Sequence, residues 1–113
     1  MLMRWHYDPG HEWLEVTATA VKGYRPTKYS YWHPETGTVF LEGDVDAAKW
    51  GMSTENFPTH PHPEELEHEC FREFCELNGI IRLSQLDWAT REKVLDEIQF
   101  GQTTSKWVPL SDG

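Results

Sequence analysis

Two periodicities divide the chain. In RWHYDPGHEWLEV, Trp5 and Tyr7 alternate with Arg4 and His6, and after a DPGH turn Leu14 and Val16 alternate with Trp13 and Glu15. A period of two is that of a half-buried strand, so this segment predicts a hairpin with Pro9 and Gly10 in its loop. YSYWHPETGTVFLE predicts a second hairpin, because Pro34-Glu35-Thr36-Gly37 suits a type I turn closed by a glycine in the left-handed region. The intervening VKGYRPTK, with Gly23 and Pro26, reads as a loop. The expected result is a small antiparallel sheet of three or four strands over residues 3–42. Aromatic side chains fall on both of its faces, more than one buried face requires, so helices are expected to cover one face and leave the other partly open.

From Pro63 the period changes. At about 100° per residue, Leu66, Cys70, Phe71, Phe74, Cys75 and Leu77 fall on one half of a helical cylinder and His68, Glu69, Arg72, Glu73 and Glu76 on the other. Pro63, Glu64 and Glu65 suit a first turn, and Gly79 after Asn78 suits a stop. The pattern predicts a helix over 64–78 with Phe74 at the centre of its apolar arc. A second helix is expected over 85–100, starting from Ser84, with Asp87 completing a weak capping box and Leu83 stapled to Trp88. Trp88, Val94, Leu95 and Ile98 form its buried stripe, and Arg91 inside that stripe either snorkels or pairs with Asp87. DVDAAKW supplies a short helical turn. The fold class is α+β in one domain, with a β-rich part over 1–52, a helical part over 63–101 and an extended tail over 102–113.

The chain has 113 residues, the size of one ordinary domain. No apolar run approaches the roughly 20 residues that span a bilayer, and MLMRWHYDP lacks the apolar stretch of a signal peptide. The expectation is a cytoplasmic protein that does not engage a membrane. Placed on one helix, Cys70 and Cys75 would stand about 140° apart around its axis, which disfavours a disulfide and fits a reducing compartment.

Net charge is −9, unevenly distributed: +1 over residues 1–33, −4 over 34–63, −5 over 64–78 and −1 over 79–113. Direct binding to a nucleic-acid backbone requires the opposite sign, since its affinity comes from Lys and Arg displacing counterions. A basic protein surface is the partner this charge suits.

WHYDPGHEWLEV and YSYWHPETGTVFLEGDVDA together resemble a group of small phage and prophage proteins of unknown function. That group shows a similar YDPGHGWLEV hairpin, a Tyr-rich strand and a VYLEEDCDA-like stretch. The resemblance covers the first half of the chain. Glu12 stands where those proteins commonly have glycine, and Val45 where they often have cysteine. It implies a bacterial or phage setting and carries no site residues.

HPHPEELEHEC holds ligand types suited to zinc or nickel. On a helix His68 and Cys70 point about 160° apart, so the only convergent set is His60, His62, Glu64 and His68. The plainer reading is an extended proline-rich lead-in with solvated histidines, and no cofactor is expected. Glu42, Asp44 and Asp46 alternate as calcium ligands do, but Asp44 or Asp46 serves more simply as a helix cap. Cys75 beside His68 resembles a nucleophile with its base, yet a buried thiol is far commoner.

Six tryptophans exceed what so small a core can centre, and at least one, Trp13 or Trp107, is expected to be exposed. With Glu69, Glu73 and Glu76 on one helical face, they would form a binding surface for a basic host protein. The functional expectation is a phage or prophage accessory protein without enzymatic activity that inhibits or modulates such a host protein, as anti-restriction and anti-CRISPR proteins do. A metal-binding protein or small hydrolase, and a self-associating structural protein, are the alternatives.

Overall fold

A computed structural model describes residues 4–53 and 64–100. His60, His62, Trp107 and the tail over 102–113 lie outside the described residues. The architecture is mixed α+β. Six strands, β1 Arg4–Tyr7, β2 Glu12–Val16, β3 Tyr31–Trp32, β4 Val39–Glu42, β5 Glu64–Glu67 and β6 Ile81–Arg82, form one sheet in the order β5-β1-β2-β4-β3-β6. Among the described residues four α-helices accompany it: α1 Ala18–Val21, α2 Ala48–Ser53, α3 Phe71–Leu77 and α4 Trp88–Phe100.

Both expected hairpins form. β1 and β2 pair antiparallel through Trp5↔Leu14 and His6↔Trp13, and the Asp8 carboxylate shapes the turn by accepting from the Gly10 and His11 amides at 3.0 and 2.9 Å. β3 and β4 are joined by a loop in which Gly37, at φ 75°, donates to the His33 carbonyl at 2.8 Å. VKGYRPTK is not wholly a loop, for Val21 ends α1, whose first turn Thr17 caps by accepting from the Ala20 amide at 3.2 Å.

The helical half departs from the pattern. Residues 64–67 form β5, parallel to β1 with Arg4↔Glu64 and His6↔Leu66 in register, instead of a first helical turn. Pro63-Glu64-Glu65 satisfies the local rules for a helix start, but the edge of β1 offers a row of backbone donors and acceptors, and pairing with it wins. The sheet therefore extends beyond residues 3–42 and takes strands from both halves of the chain. Cys70 is extended (φ −150°, ψ 113°) and lies outside α3, so the two cysteines do not share a helix. The Phe71 amide is capped from afar by Asp8 Oδ2 at 3.1 Å, which pins α3 to the first hairpin. Phe71 and Cys75 are fully buried, Phe74 only partly, and Leu77 is 86 % exposed. The expected apolar arc was thus wrong at both its centre and its end.

Before α4, Leu83–Gln85 makes a 3₁₀ turn, and Asp87 rather than Ser84 caps the helix, accepting from the Thr90 amide at 2.7 Å. Leu83 enters the core instead of stapling Trp88, which is 69 % exposed. Val94, Leu95 and Ile98 do form the buried stripe, and Arg91 donates to the Leu86 carbonyl at 3.3 Å.

The sheet buries two different faces. Leu14, Val16, Trp32, Val39 and Leu41 point towards α4, Val21 and Trp50 in the larger, aliphatic core. Trp13, Tyr31 and Phe40 point the other way and meet Phe71, Cys75 and Ile80. Trp13 is therefore buried, not exposed: its ring stacks on Phe71 with centroids 4.1 Å apart. Among the described residues the second face is covered by the short α3 and by Ile80 just after it. No helix among the described residues is long and apolar enough to cross a membrane.

Candidate functional site

On the face beneath α3, strand alternation brings Arg4 and His6 of β1 beside Glu15 of β2, and the parallel pairing of β5 carries His68 to the end of the same row. His6 is 1 % exposed and uses both ring nitrogens. Nε2 lies 2.7 Å from Glu15 Oε1, and Nδ1 lies 2.9 Å from His68 Nε2. Arg4 donates through Nε and Nη2 to the same Glu15 carboxylate at 3.1 and 2.9 Å. Burial acts to raise the Glu15 pKa, but the hydrogen bonds from His6 and Arg4 outweigh it and hold the carboxyl below its ordinary value. A carboxylate only accepts, so His6 Nε2–H donates to Glu15, and in the neutral ring Nδ1 then accepts from His68 Nε2–H. Burial together with the neighbouring His6 pushes the His68 pKa down, opposed by Asp8. Phe40, Phe71 and Phe74 close around His6 with centroids 5.3 to 5.6 Å away.

Grooves lie along this face. One of about 430 Å³ includes Arg4, His6, Glu15, Phe40 and Phe74. Another of about 380 Å³ includes Trp13, Tyr29, Tyr31, Arg72 and Arg82. Burial raises the Tyr31 pKa while Arg82 and Arg72 pull it down, so both guanidinium groups act on that hydroxyl.

The exposed positions of the β5–α3 segment are largely acidic, with Glu64 on the Arg4 side of the sheet and Glu65 and Glu67 on the other. Glu64, Glu65, Glu67, Glu69, Glu73 and Glu76 are all exposed, and Arg72 is the one basic residue among them. Of the three glutamates expected to bind a partner, all exposed, Glu73 and Glu76 lie on α3 and Glu69 ahead of the helix instead of on it. Leu77 follows Glu76 directly and stands one turn beyond Glu73.

The other candidates separate. Glu64 and His68 stand at opposite ends of a strand, about 13 Å apart at 3.3 Å per residue, not on adjacent helical turns. Among the described residues no group of three or more His, Cys, Asp or Glu side chains could hold a metal ion. Glu42, not Asp44 or Asp46, caps the π-helical turn Gly43–Ala47, accepting from the Asp44 and Val45 amides at 3.2 and 3.1 Å. Asp46 is fully buried and accepts from the Tyr24 hydroxyl at 2.8 Å, from the Thr27 amide at 2.9 Å, from the Thr27 hydroxyl at 2.8 Å and from the Ser30 hydroxyl. Its oxygens are committed to the fold and do not face a cation. Burial, with Cys70 and Glu76 adding to it, pushes the Cys75 thiol up to about 12, the reverse of an activated nucleophile.

The His6–His68 pair escaped the sequence reading because it joins residues 62 apart through a strand read as helix. The signal that pointed to it was the alternation of Leu66 and His68, which also fits a strand. No protein-family model matches the chain, and neither a curated protein nor a solved structure matches it.

Proposed function

We propose that this is a small phage or prophage accessory protein that binds a host protein at a basic surface, such as one that otherwise holds nucleic acid, and thereby modulates or inhibits it. The observation that supports the reading is the outward face of β5 and α3. The segment carries six exposed glutamates and, beside Glu76 on α3, a leucine that is 86 % exposed, although α3 has buried apolar positions on its other side. Acidic groups of this kind accelerate encounter with a basic surface, and an exposed apolar residue beside them supplies the desolvated contact. Leu77 replaces Trp13 in that role, since Trp13 is interior. The sign of the face opposes direct contact with a phosphate backbone.

The test is capture from a bacterial lysate at low and high salt by wild-type protein and by Glu69→Gln/Glu73→Gln/Glu76→Gln. The reading expects a basic protein retained at low salt by the wild type and depleted with the triple variant. Equal recovery by both would refute it.

A further inference from the structure

We infer that His6 and His68 form a proton-operated latch that fixes the acidic β5–α3 segment to the sheet and opens when both rings are charged. The inference deepens the reading of the acidic face as a binding surface and rests on it only for the effect on a partner; the latch itself is a property of the free protein.

The argument starts from the direction of the hydrogen bonds. Glu15 fixes the tautomer of His6, and His6 in turn fixes that of His68, so every N–H in the chain points towards the carboxylate. One added proton is tolerated. It enters on His68 Nδ1 while the proton between the rings passes from His68 Nε2 to His6 Nδ1, leaving an imidazolium against Glu15 and the bond between the rings intact. A second proton is not tolerated, because each facing nitrogen then carries hydrogen and neither can accept. Two like charges also stand with ring centroids 5.1 Å apart in parallel planes.

His68 is half-buried, and the protein groups packed against the pair give the second charge little relief. From β1 comes Arg4, a cation, and from the turn after it Asp8, whose carboxylate is engaged by the Gly10, His11 and Phe71 amides. From β2 comes Glu15, shared with Arg4. β4 presents the Phe40 ring and α3 the Phe71 and Phe74 rings, none of which carries charge. His68 is also where β5 ends, its amide donating to the Tyr7 carbonyl at 2.7 Å, and α3 begins three residues later. Expelling the His68 ring therefore loosens both elements that display the glutamates.

The experiment follows histidine ring nitrogens and backbone amide exchange by NMR on the full chain from pH 7.5 to 5. The expected result is coupled titration of His6 and His68, with protection of the His68 amide and of the α3 amides falling as the second proton binds. The fall should reach about tenfold for each pH unit below the point of double protonation. His68→Gln keeps a donor for His6 Nδ1 without a titrating ring, and its protection should stay level across this range. Level protection in the wild type, or an equal fall in His68→Gln, would overturn the latch. Neither readout requires a partner, so failure of the binding reading and failure of the latch are told apart.

Discussion

Replacing Asp46 tests whether the interior of this fold is organised around one carboxylate. Its two oxygens receive the Thr27 amide and the hydroxyls of Tyr24, Thr27 and Ser30, and Ser30 Oγ in turn accepts from the Glu42 amide at 3.0 Å. Asp46→Ala removes four charge-assisted acceptor contacts. The three hydroxyls can rotate towards water or carbonyls, so their loss is partial. The Thr27 amide cannot rotate, and an orphaned buried donor costs about 1–3 kcal/mol. Adding a reduced share for the hydroxyls, and subtracting the relief of no longer burying a charge, gives about 3–5 kcal/mol, the usual range for breaking a buried charged network. In a domain of this size that lowers Tm by about 12–20 °C. Asp46→Asn keeps one oxygen for the Thr27 amide, and a hydroxyl can turn to accept from its NH₂, so it should cost about half as much. The assay is urea unfolding followed by tryptophan fluorescence, with Asp44→Ala as the exposed control at under about 0.5 kcal/mol. If Asp46→Ala matches Asp44→Ala, the network does not hold the loop and the reasoning fails.

Four further outcomes follow from particular contacts. Phe71→Ala should cost about 3–5 kcal/mol in the same unfolding assay and Phe74→Ala distinctly less, because Phe71 is fully buried against Trp13 and Phe74 only partly. Gly43→Ala should destabilise measurably, since its Cβ would meet the Glu12 side chain and stand 3.0 Å from the Glu12 carbonyl oxygen; unchanged Tm would contradict this. In native protein an alkylating reagent should modify Cys70 and spare Cys75, whose thiol is buried and pushed up to about 12; mass spectrometry of the labelled peptides reads the difference. Stability should also fall in two steps on acidification. The folded His68 pKa is depressed by burial and by the neighbouring His6, so its contribution is present above about 6.5 and lost as pH falls through the folded value. The depressed Glu15 and Asp8 values add a contribution present above about 4.5 and lost below it, and denaturant midpoints against pH should show Glu15→Gln weakening the second step.

What the sequence revealed and what it concealed divide along physical lines. The hairpins were legible because alternation and turn chemistry agree locally, and the stripe of Val94, Leu95 and Ile98 was legible for the same reason. β5 was not, because EELE carries no apolar alternation and follows a proline, while its extended form comes from pairing with β1, some 60 residues away in sequence. That one substitution of strand for helix shifted the rest of the segment: Phe71, expected on the apolar arc, is its buried centre in place of Phe74, Leu77 turns out, and His68 stands against His6. Trp13 was misplaced for a related reason. Its alternation with Leu14 put it correctly on the opposite face, but nothing local shows that α3 returns to cover that face. The acidic character of the segment survived the change of secondary structure, since exposed glutamates are compatible with an edge strand and with the outside of a helix alike.

The proposed function turns on that acidic face, and the most direct measurement of it is the association rate of the captured host protein as a function of ionic strength. Wild-type protein should associate fast at low salt with a steep decline as salt rises, the Glu69→Gln/Glu73→Gln/Glu76→Gln variant should associate more slowly with a flatter decline, and Leu77→Ser should leave the association rate unchanged while speeding dissociation. Identical association rates and salt slopes for the wild type and the triple variant would contradict the account.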